Sequence, residues 1–267
     1  MSTAPPPAQP DALAPLTRSR IRWEIAIVLS LGLGQSAVYA IVALAYRLTR
    51  EVALGDQTAT LNPSLSDREV FDLIYQVLAI VFALAPVLLV CYLLWSPRRP
   101  HLGALGLDGT RRLRDMAWGV GLVVAIGIPG LAFYAAGRAL GLFVAVNPAG
   151  LGDHWWTVPI LLLSAARAAI QEEFVVLGYL FERLRRLGWG PWAIIVATSL
   201  FRATYHLYQG PGAFIGNLVM GLVFGWLFMR TGRLLPFLAA HFAIDAAVFV
   251  GYPLVAGWWP ELFGLPG

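Results

Sequence analysis

Long apolar stretches separated by short polar segments dominate the hydrophobic pattern of this 267-residue chain. An α-helix rises about 1.5 Å per residue, so about 20 consecutive apolar residues cross the hydrocarbon core of a bilayer. This criterion predicts an all-α fold, a polytopic transmembrane helical bundle of seven or eight spans around an intramembrane polar site. The seven clear spans lie near 24–46, 70–95, 115–140, 156–181, 191–208, 212–229 and 234–251. A last apolar piece, 252–265, is either a short eighth helix or an interfacial segment.

Composition supports one membrane domain preceded by a short tail. The chain is 58% hydrophobic and 13% charged, whereas soluble domains carry about 25% charged residues. The first 15 residues are rich in Pro and Ala, so we expect 1–20 to form a disordered cytosolic tail. Residues 21–267 are expected to form a single integral membrane domain. The lone cysteine, Cys91, excludes an intrachain disulfide framework.

The basic residues indicate orientation rather than a nucleic-acid partner. Short loops that would share one side of the bilayer hold 13 arginines, and the opposite loops hold only Arg47, Arg50 and Arg68. The positive-inside rule then predicts a multi-pass plasma (inner) membrane protein with a cytoplasmic N-terminus. The 13 arginines are Arg18, Arg20, Arg22, Arg98, Arg99, Arg111, Arg112, Arg114, Arg183, Arg185, Arg186, Arg230 and Arg233.

A few ionisable residues interrupt the apolar spans, and these are the candidate functional residues. Glu172 and Glu173 are adjacent in the fourth span, and a charge at the centre of a membrane helix costs about 2.5–3.5 kcal/mol. Arg167, Arg202 and Asp245 also lie inside predicted spans. The set must be mutually compensated or hydrated, which predicts a polar cavity inside the bundle. For the glutamate pair alone, a structural ion pair with Arg167 or Arg202 is the alternative.

Two histidines complete a set of groups suited to hydrolysis. His241 and Asp245 are four residues apart and share one helix side, while His206 ends the preceding Arg-Ala-Thr-Tyr-His stretch. A glutamate can take a proton from water while imidazoles orient that water or stabilise an oxyanion. The same residue types could instead hold a divalent metal such as zinc, with Glu172, His206 and His241 as ligands. Tyr205 and Tyr208 are interpreted as interfacial anchors.

The spacing of these residues resembles the CPBP family of CAAX prenyl proteases and bacteriocin-processing (Abi) membrane proteins. The resemblance covers about 155–250 and rests on Glu172-Glu173 with Gly178, on His206, and on His241 with Asp245. It implies an intramembrane endopeptidase that acts on membrane-associated or lipidated peptides, and it leaves open whether the enzyme is a metalloendopeptidase. It further implies Glu172 as general base, His206 as its partner in activating water, and His241 with Asp245 as the oxyanion-stabilising group.

The chain departs from the family pattern at two positions. Leu177 stands where the family has arginine, and Arg202 stands where it has phenylalanine. We expect the two changes to be linked, with Arg202 supplying the cation that position 177 lacks. His206 also poses a depth problem: it lies about 24 Å from the cytoplasmic end, against about 15 Å for Glu172 and 12 Å for His241. The fifth span must therefore tilt or re-enter.

Two other classes remain open from the sequence. A proton- or ion-coupled transporter also buries acidic and basic groups near mid-membrane, although the chain shows neither an internal repeat nor matched broken helices. A non-catalytic membrane scaffold or bacteriocin self-immunity protein could keep the fold and lose the chemistry, and Leu177 favours that alternative.

Overall fold

The computed structural model describes residues 16–251, and over that range the chain is helical apart from its loops and two short strands. The helices are α1 (Arg18–Ser30), α2 (Leu33–Leu48), α3 (Glu69–Leu93), α4 (Arg112–Ala139), α5 (157–186), α6 (Pro191–Thr204), α7 (Pro211–Thr231) and α8 (Leu235–Gly251). Because α1 begins at Arg18, the last residues assigned to the tail are helical. The remainder of the tail up to residue 15, and the apolar piece 252–265, lie outside the described residues.

Within the described range, α3, α4 and α7 are long and apolar enough to cross a bilayer. The expected first span is broken: α1 and α2 meet at an angle of 57° and would count as a fourth span only if taken together. Gly32 occupies the break, where an added Cβ would lie 2.9 Å from the Gln171 amide nitrogen and 3.2 Å from Pro86. Seven or eight spans stay a prediction.

Two three-residue strands mark one end of the bundle. β1 (Thr58–Thr60) pairs in parallel with β2 (Ala145–Asn147), and Ala59 is opposite Val146. Such short strands lack enough positions to show alternation in the sequence. They join the α2–α3 and α4–α5 loops, and we call this the β end. The arginine-bearing loops after α3, α5 and α7 lie at the other end, which we call the arginine end.

A large apolar core fills the half of the bundle near the arginine end. This core packs the five helices from α4 through α8 against one another and against the loop after α3. Its buried residues are Leu105, Leu122, Leu177, Phe181, Ile194, Ile195, Phe224, Phe228, Leu234, Phe237 and Ala240. Gly221 lets α7 approach α6 closely, since an added Cβ would lie 3.0 Å from the backbone of Ser199. The packing leaves many large apolar side chains exposed on the outer surface, including Val42, Phe82 and Leu88, as expected for contact with lipid.

An ion-pair cluster closes the arginine end. The Arg233 guanidinium contacts Asp115 at 2.7 Å and Asp108 at 2.9 Å, and it holds the pKa of Asp108 below its ordinary range. The Leu234 amide also donates to the Leu105 carbonyl at 2.9 Å. These contacts fix the loop after α3 against the α7–α8 turn, and they place Leu105 over the apolar core.

Candidate active site

The two adjacent glutamates of α5 face different surroundings. One residue of an α-helix turns the side chain by about 100°, so neighbours cannot share a direction. Glu172 lines an internal cavity and is 8% exposed, whereas Glu173 is fully buried behind it. The α-helical part of α5 ends at Glu173 and is followed by a π-helical segment, Phe174–Leu180. Such segments occur mostly as local insertions and are frequent at functional sites.

Glu173 is held by a buried cation on each side. Its Oε1 accepts from the Arg202 guanidinium and lies 2.7 Å from the His241 Nδ1. Arg202 is 1% exposed and His241 is 4% exposed. Removing one partner of such a buried pair costs about 3–5 kcal/mol because the other charge is left uncompensated. This trio, drawn from α5, α6 and α8, forms the floor of the cavity.

Glu172 carries a different set of contacts. Its Oε2 accepts a 2.7 Å hydrogen bond from the Tyr205 hydroxyl and lies 3.8 Å from both the Arg202 Nη2 and the His206 Nε2. Two atoms 3.8 Å apart are beyond direct hydrogen bonding, but one water can contact both. The structure thus places a carboxylate oxygen beside an imidazole nitrogen that is itself buried and has no hydrogen-bond partner among the described residues.

His206 reaches this position because α6 stops early. α6 has 14 residues, about 21 Å long against a hydrocarbon core of about 30 Å. The chain turns after Thr204 and continues through a 3₁₀ segment, Leu207–Gln209, into α7. Neither ring nitrogen of His206 has a hydrogen-bond partner within residues 16–251. The depth difference inferred from the sequence is thus absent: Glu172 lies 14 residues from Arg186, where α5 ends, and His206 lies 15 residues from Pro191, where α6 begins.

His241 links the floor of the cavity to its wall. Its Nδ1 faces Glu173, and its Nε2 lies 3.4 Å from the Asp245 carboxylate, one turn further along α8. An imidazole whose two nitrogens both face carboxylates can satisfy both only by donating from each, which is the protonated form. The protonated form of His241 would therefore suit both carboxylates, and its ring lies beside the cavity, close to the more exposed Asp245.

The cavity itself has a volume of about 480 Å³ and brings together groups from five helices. Its polar lining comprises Ser36, Asn62, Arg167, Gln171, Glu172, Tyr205, His206, Tyr208, Gln209, Asn217, His241 and Asp245. Apolar residues of α4, α7 and α8 form most of the remaining wall. A cavity of this size with a few convergent polar groups is typical of a small-ligand or peptide site.

Three expectations about individual residues need comment. Arg202, and not Arg167, pairs with the glutamates; Arg167 lines the cavity and donates to the Gln171 side chain at 3.2 Å. Leu177 is buried in the apolar core, so that position needs no cation. Tyr205 is 4% exposed, and its interpretation as an interfacial anchor is wrong. One feature of the sequence indicated that Tyr205 belongs to the site, namely that it is adjacent to His206.

The proposed zinc ligands do not fit a three-residue metal site. Zinc in catalytic sites takes three protein ligands through free imidazole nitrogens or carboxylate oxygens. Both nitrogens of His241 are directed to carboxylates, which leaves Glu172 and His206. No cluster of three or more suitable ligands occurs between residues 16 and 251.

Comparison with known families agrees with this arrangement. Residues 154–247, about a third of the chain, match the family model for "Type II CAAX prenyl endopeptidase Rce1-like". The match confirms the resemblance to the CAAX protease family and spans all the residues that carry it. Together with the apolar helices, it indicates an integral membrane protein with a region similar to CAAX-type endopeptidases. No curated protein and no solved structure matches the chain.

Proposed function

We propose that the protein is an intramembrane endopeptidase that hydrolyses peptide bonds of membrane-associated or lipidated substrates by direct attack of water. The observation that carries the proposal is the 3.8 Å gap between the Glu172 Oε2 and the His206 Nε2 in the wall of the cavity. A water that bridges the two atoms from the cavity, with the buried His206 Nε2 turned toward it, would have a carboxylate base and an imidazole as partners. The seven or eight spans, the plasma-membrane location and the cytoplasmic N-terminus are part of this proposal.

In this mechanism Glu172 takes a proton from the water, and His206 orients the water and then assists proton transfer to the leaving amine. The bond that forms joins the water oxygen to the scissile carbonyl carbon, and the bond that breaks is the peptide C–N bond. His241, held protonated between Glu173 and Asp245, offers positive charge to the oxyanion. The mechanism uses no acyl-enzyme, because Ser36, the one serine in the lining of the described cavity, makes no hydrogen bond with Glu172 or His206, and no cysteine lines that cavity.

Glu173 and Arg202 support this chemistry without entering it. Arg202 neutralises Glu173 and also lies 3.8 Å from the Glu172 Oε2, so it limits the negative charge of the adjacent carboxylates. In this proposal Arg202 supplies the positive charge that the family arginine would carry at the position of Leu177. Leu177 is therefore a weaker reason to regard the protein as a non-catalytic scaffold.

Cleavage of a lipidated peptide by the purified protein tests the proposal. We expect wild type to release product and Glu172→Ala to lose at least about 100-fold in kcat/KM, as for removal of a general base. Ser36→Ala is the matched control, because Ser36 lines the same cavity and contacts neither glutamate. Equal rates for wild type and Glu172→Ala, or no cleavage by any form, would contradict the proposal. Metal analysis of the same sample should show no stoichiometric transition metal.

A further inference from the structure

A second cavity, of about 330 Å³, lies at the arginine end of the described residues and shares no lining residue with the first. Its walls come from the loop after α3, the end of α5 and the last turns of α7. The lining residues are Leu94, Ala104, Leu105, Gly178, Glu182, Arg185, Arg186 and Phe228. Small-ligand sites have volumes of about 300–1,000 Å³, and the candidate active site does not account for this one.

Apolar and charged groups are separated within this second cavity. Leu105 and Phe228 form its inner end and are both buried. Ala104, Arg185 and Arg186 are exposed, so the cavity reaches the protein surface at these residues. A ligand that fits this layout has an apolar part that enters the protein and a charged part that stays at the mouth.

The charge at the mouth is positive. Arg186 and the buried Arg183 both pair with Glu182, and Arg183 also lies 3.0 Å from Glu24. The Glu182 carboxylate is therefore neutralised by two guanidinium groups. The side chain of Arg185 has neither an ion-pair nor a hydrogen-bond partner between residues 16 and 251. Its guanidinium is free to bind an anion, and phosphate is an anion that arginine can contact with two parallel hydrogen bonds.

The second cavity lies where membrane-crossing helices end. Leu94 directly follows α3, and Phe228 lies in the last turn of α7. Both helices are long and apolar enough to cross a bilayer. Trp189 and Trp192, at the turn from α5 into α6, are 45% and 65% exposed, and exposed tryptophan is typical of the headgroup level of a membrane. The mouth of the cavity is thus at headgroup level.

We propose that the second cavity binds an anionic phospholipid, with the lipid phosphate at Arg185 and the start of one acyl chain against Leu105 and Phe228. The unpartnered arginine selects an anionic headgroup, since basic pockets between membrane helices bind such headgroups. The buried apolar lining selects a lipid over free phosphate. This binding depends neither on the peptidase reaction nor on which side of the membrane the arginine end faces.

Native mass spectrometry of the purified full-length chain in detergent tests the proposal. The protein is titrated separately with dioleoylphosphatidylglycerol, dioleoylphosphatidylcholine and glycerol phosphate. We expect a one-to-one adduct with phosphatidylglycerol that is at least about fivefold tighter than the adduct with phosphatidylcholine, which has the same chains without the net negative charge. Glycerol phosphate has the charge without the chains, and it should give no adduct.

Substitutions of Arg185 locate the binding. Arg185→Gln should weaken the phosphatidylglycerol adduct about fivefold, and Arg185→Lys, which keeps the positive charge, should stay within about twofold of wild type. Arg114→Gln is the matched control, because Arg114 is an exposed arginine of α4 that does not line the cavity. Arg185 is exposed and unpartnered among the described residues, so the lipid-free thermal midpoints of these variants should equal that of wild type.

Three results would overturn the proposal. Equal affinity for phosphatidylglycerol and phosphatidylcholine would show that the arginines recognise no charge. Glycerol phosphate bound as tightly as phosphatidylglycerol would show a phosphate site instead of a lipid site. An equal loss of affinity in Arg185→Gln and Arg114→Gln would show a general attraction of anionic lipid to the arginine end, without a site in this cavity.

Discussion

At the scale of single residues, the site separates groups that hold the structure from groups that face the cavity. Glu173, Arg202 and His241 pair with one another in the interior, whereas Glu172, His206 and Asp245 line the cavity. Burying charge in this way is tolerated only when each charge is compensated. The adjacent glutamates of one motif therefore have different tasks.

Substitution of Arg202 should lower the free energy of unfolding much more than substitution of Arg167. Arg202→Leu removes the cation from buried Glu173 and should lower the free energy of unfolding by about 3–5 kcal/mol, measured by denaturant titration in detergent. Arg167→Gln should change it by about 0.5 kcal/mol or less, because Arg167 contacts only the Gln171 side chain among the described residues.

The double variant Arg202→Leu with Glu173→Leu keeps this test decisive even if the single variant is too unstable to purify. It removes both charges of the pair, so it should recover most of the lost stability. A double variant less stable than Arg202→Leu alone would show that the ion pair is not what stabilises this part of the bundle.

Tyr205 is expected to position the catalytic carboxylate. Its hydroxyl occupies the Glu172 Oε2, which restricts how that carboxylate can turn toward a water. Tyr205→Phe should lower kcat by about tenfold and leave KM within about twofold, since a misplaced base affects the chemical step more than binding. The aromatic ring is retained, so the thermal midpoint should change little. A rise in KM with constant kcat would assign Tyr205 to substrate binding instead.

At the scale of helices and loops, the sequence predicts the helical segments well because lipid imposes long apolar runs. It does not predict the break at Gly32, since the apolar pattern continues across it from α1 into α2. The sequence also predicts a fifth span that ends at residue 208, four residues beyond the observed end of α6 at Thr204. The composition around Tyr205 and His206 is compatible with a continued helix, but the chain turns after Thr204. Local composition does not report that turn, and the turn is what brings His206 to Glu172.

The same distinction applies within the site. The identity of the charged residues follows from their cost in an apolar span, so Glu172, Glu173, Arg202, His206, His241 and Asp245 are visible in the sequence. The sequence does not show which of them pair, because Arg167 and Arg202 both interrupt apolar spans and only the packing of α6 on α5 selects Arg202 as the partner of Glu173. Tyr205 was misassigned since a tyrosine near a helix end is typical of the membrane interface.

The cluster of Asp108, Asp115 and Arg233 makes the loop after α3 sensitive to acid. Asp108 has its pKa lowered from an ordinary value of 3.8, chiefly by hydrogen bonds from Arg233. A carboxyl with a lowered folded-state pKa contributes stability above its unfolded pKa and loses it as the pH falls through the folded-state value. Asp108→Asn should therefore lower the thermal midpoint in detergent near pH 6, and the difference from wild type should shrink below about pH 3.

Asp153→Asn provides the control for this measurement, since it removes one carboxylate from an exposed loop position. Its midpoint should follow that of wild type at both pH values. A gap between wild type and Asp108→Asn that widens in acid would contradict the assignment of the ion pair.

At the scale of the whole molecule, one half of the bundle supports the site and the other half holds the cavity. The apolar core and the Arg233 cluster close the arginine end, and the β1–β2 loops border the cavity at the opposite end. Between them, α5, α6 and α8 each contribute polar groups at the same depth. This division explains how an apolar protein can hold water and charge in its interior without exposing them to lipid.

The central claim is that Glu172 and His206 act together on one water, and a double-mutant cycle tests it most directly. The kcat/KM of wild type, Glu172→Gln, His206→Gln and the double variant would be compared on the same lipidated peptide, with thermal midpoints confirming that each is folded. Each single substitution should cost at least about 100-fold. The double variant should then lose no more than about tenfold beyond the weaker single variant, because groups that act as a unit are strongly non-additive. Losses that multiply across the cycle, or full activity in either folded single variant, would contradict the account.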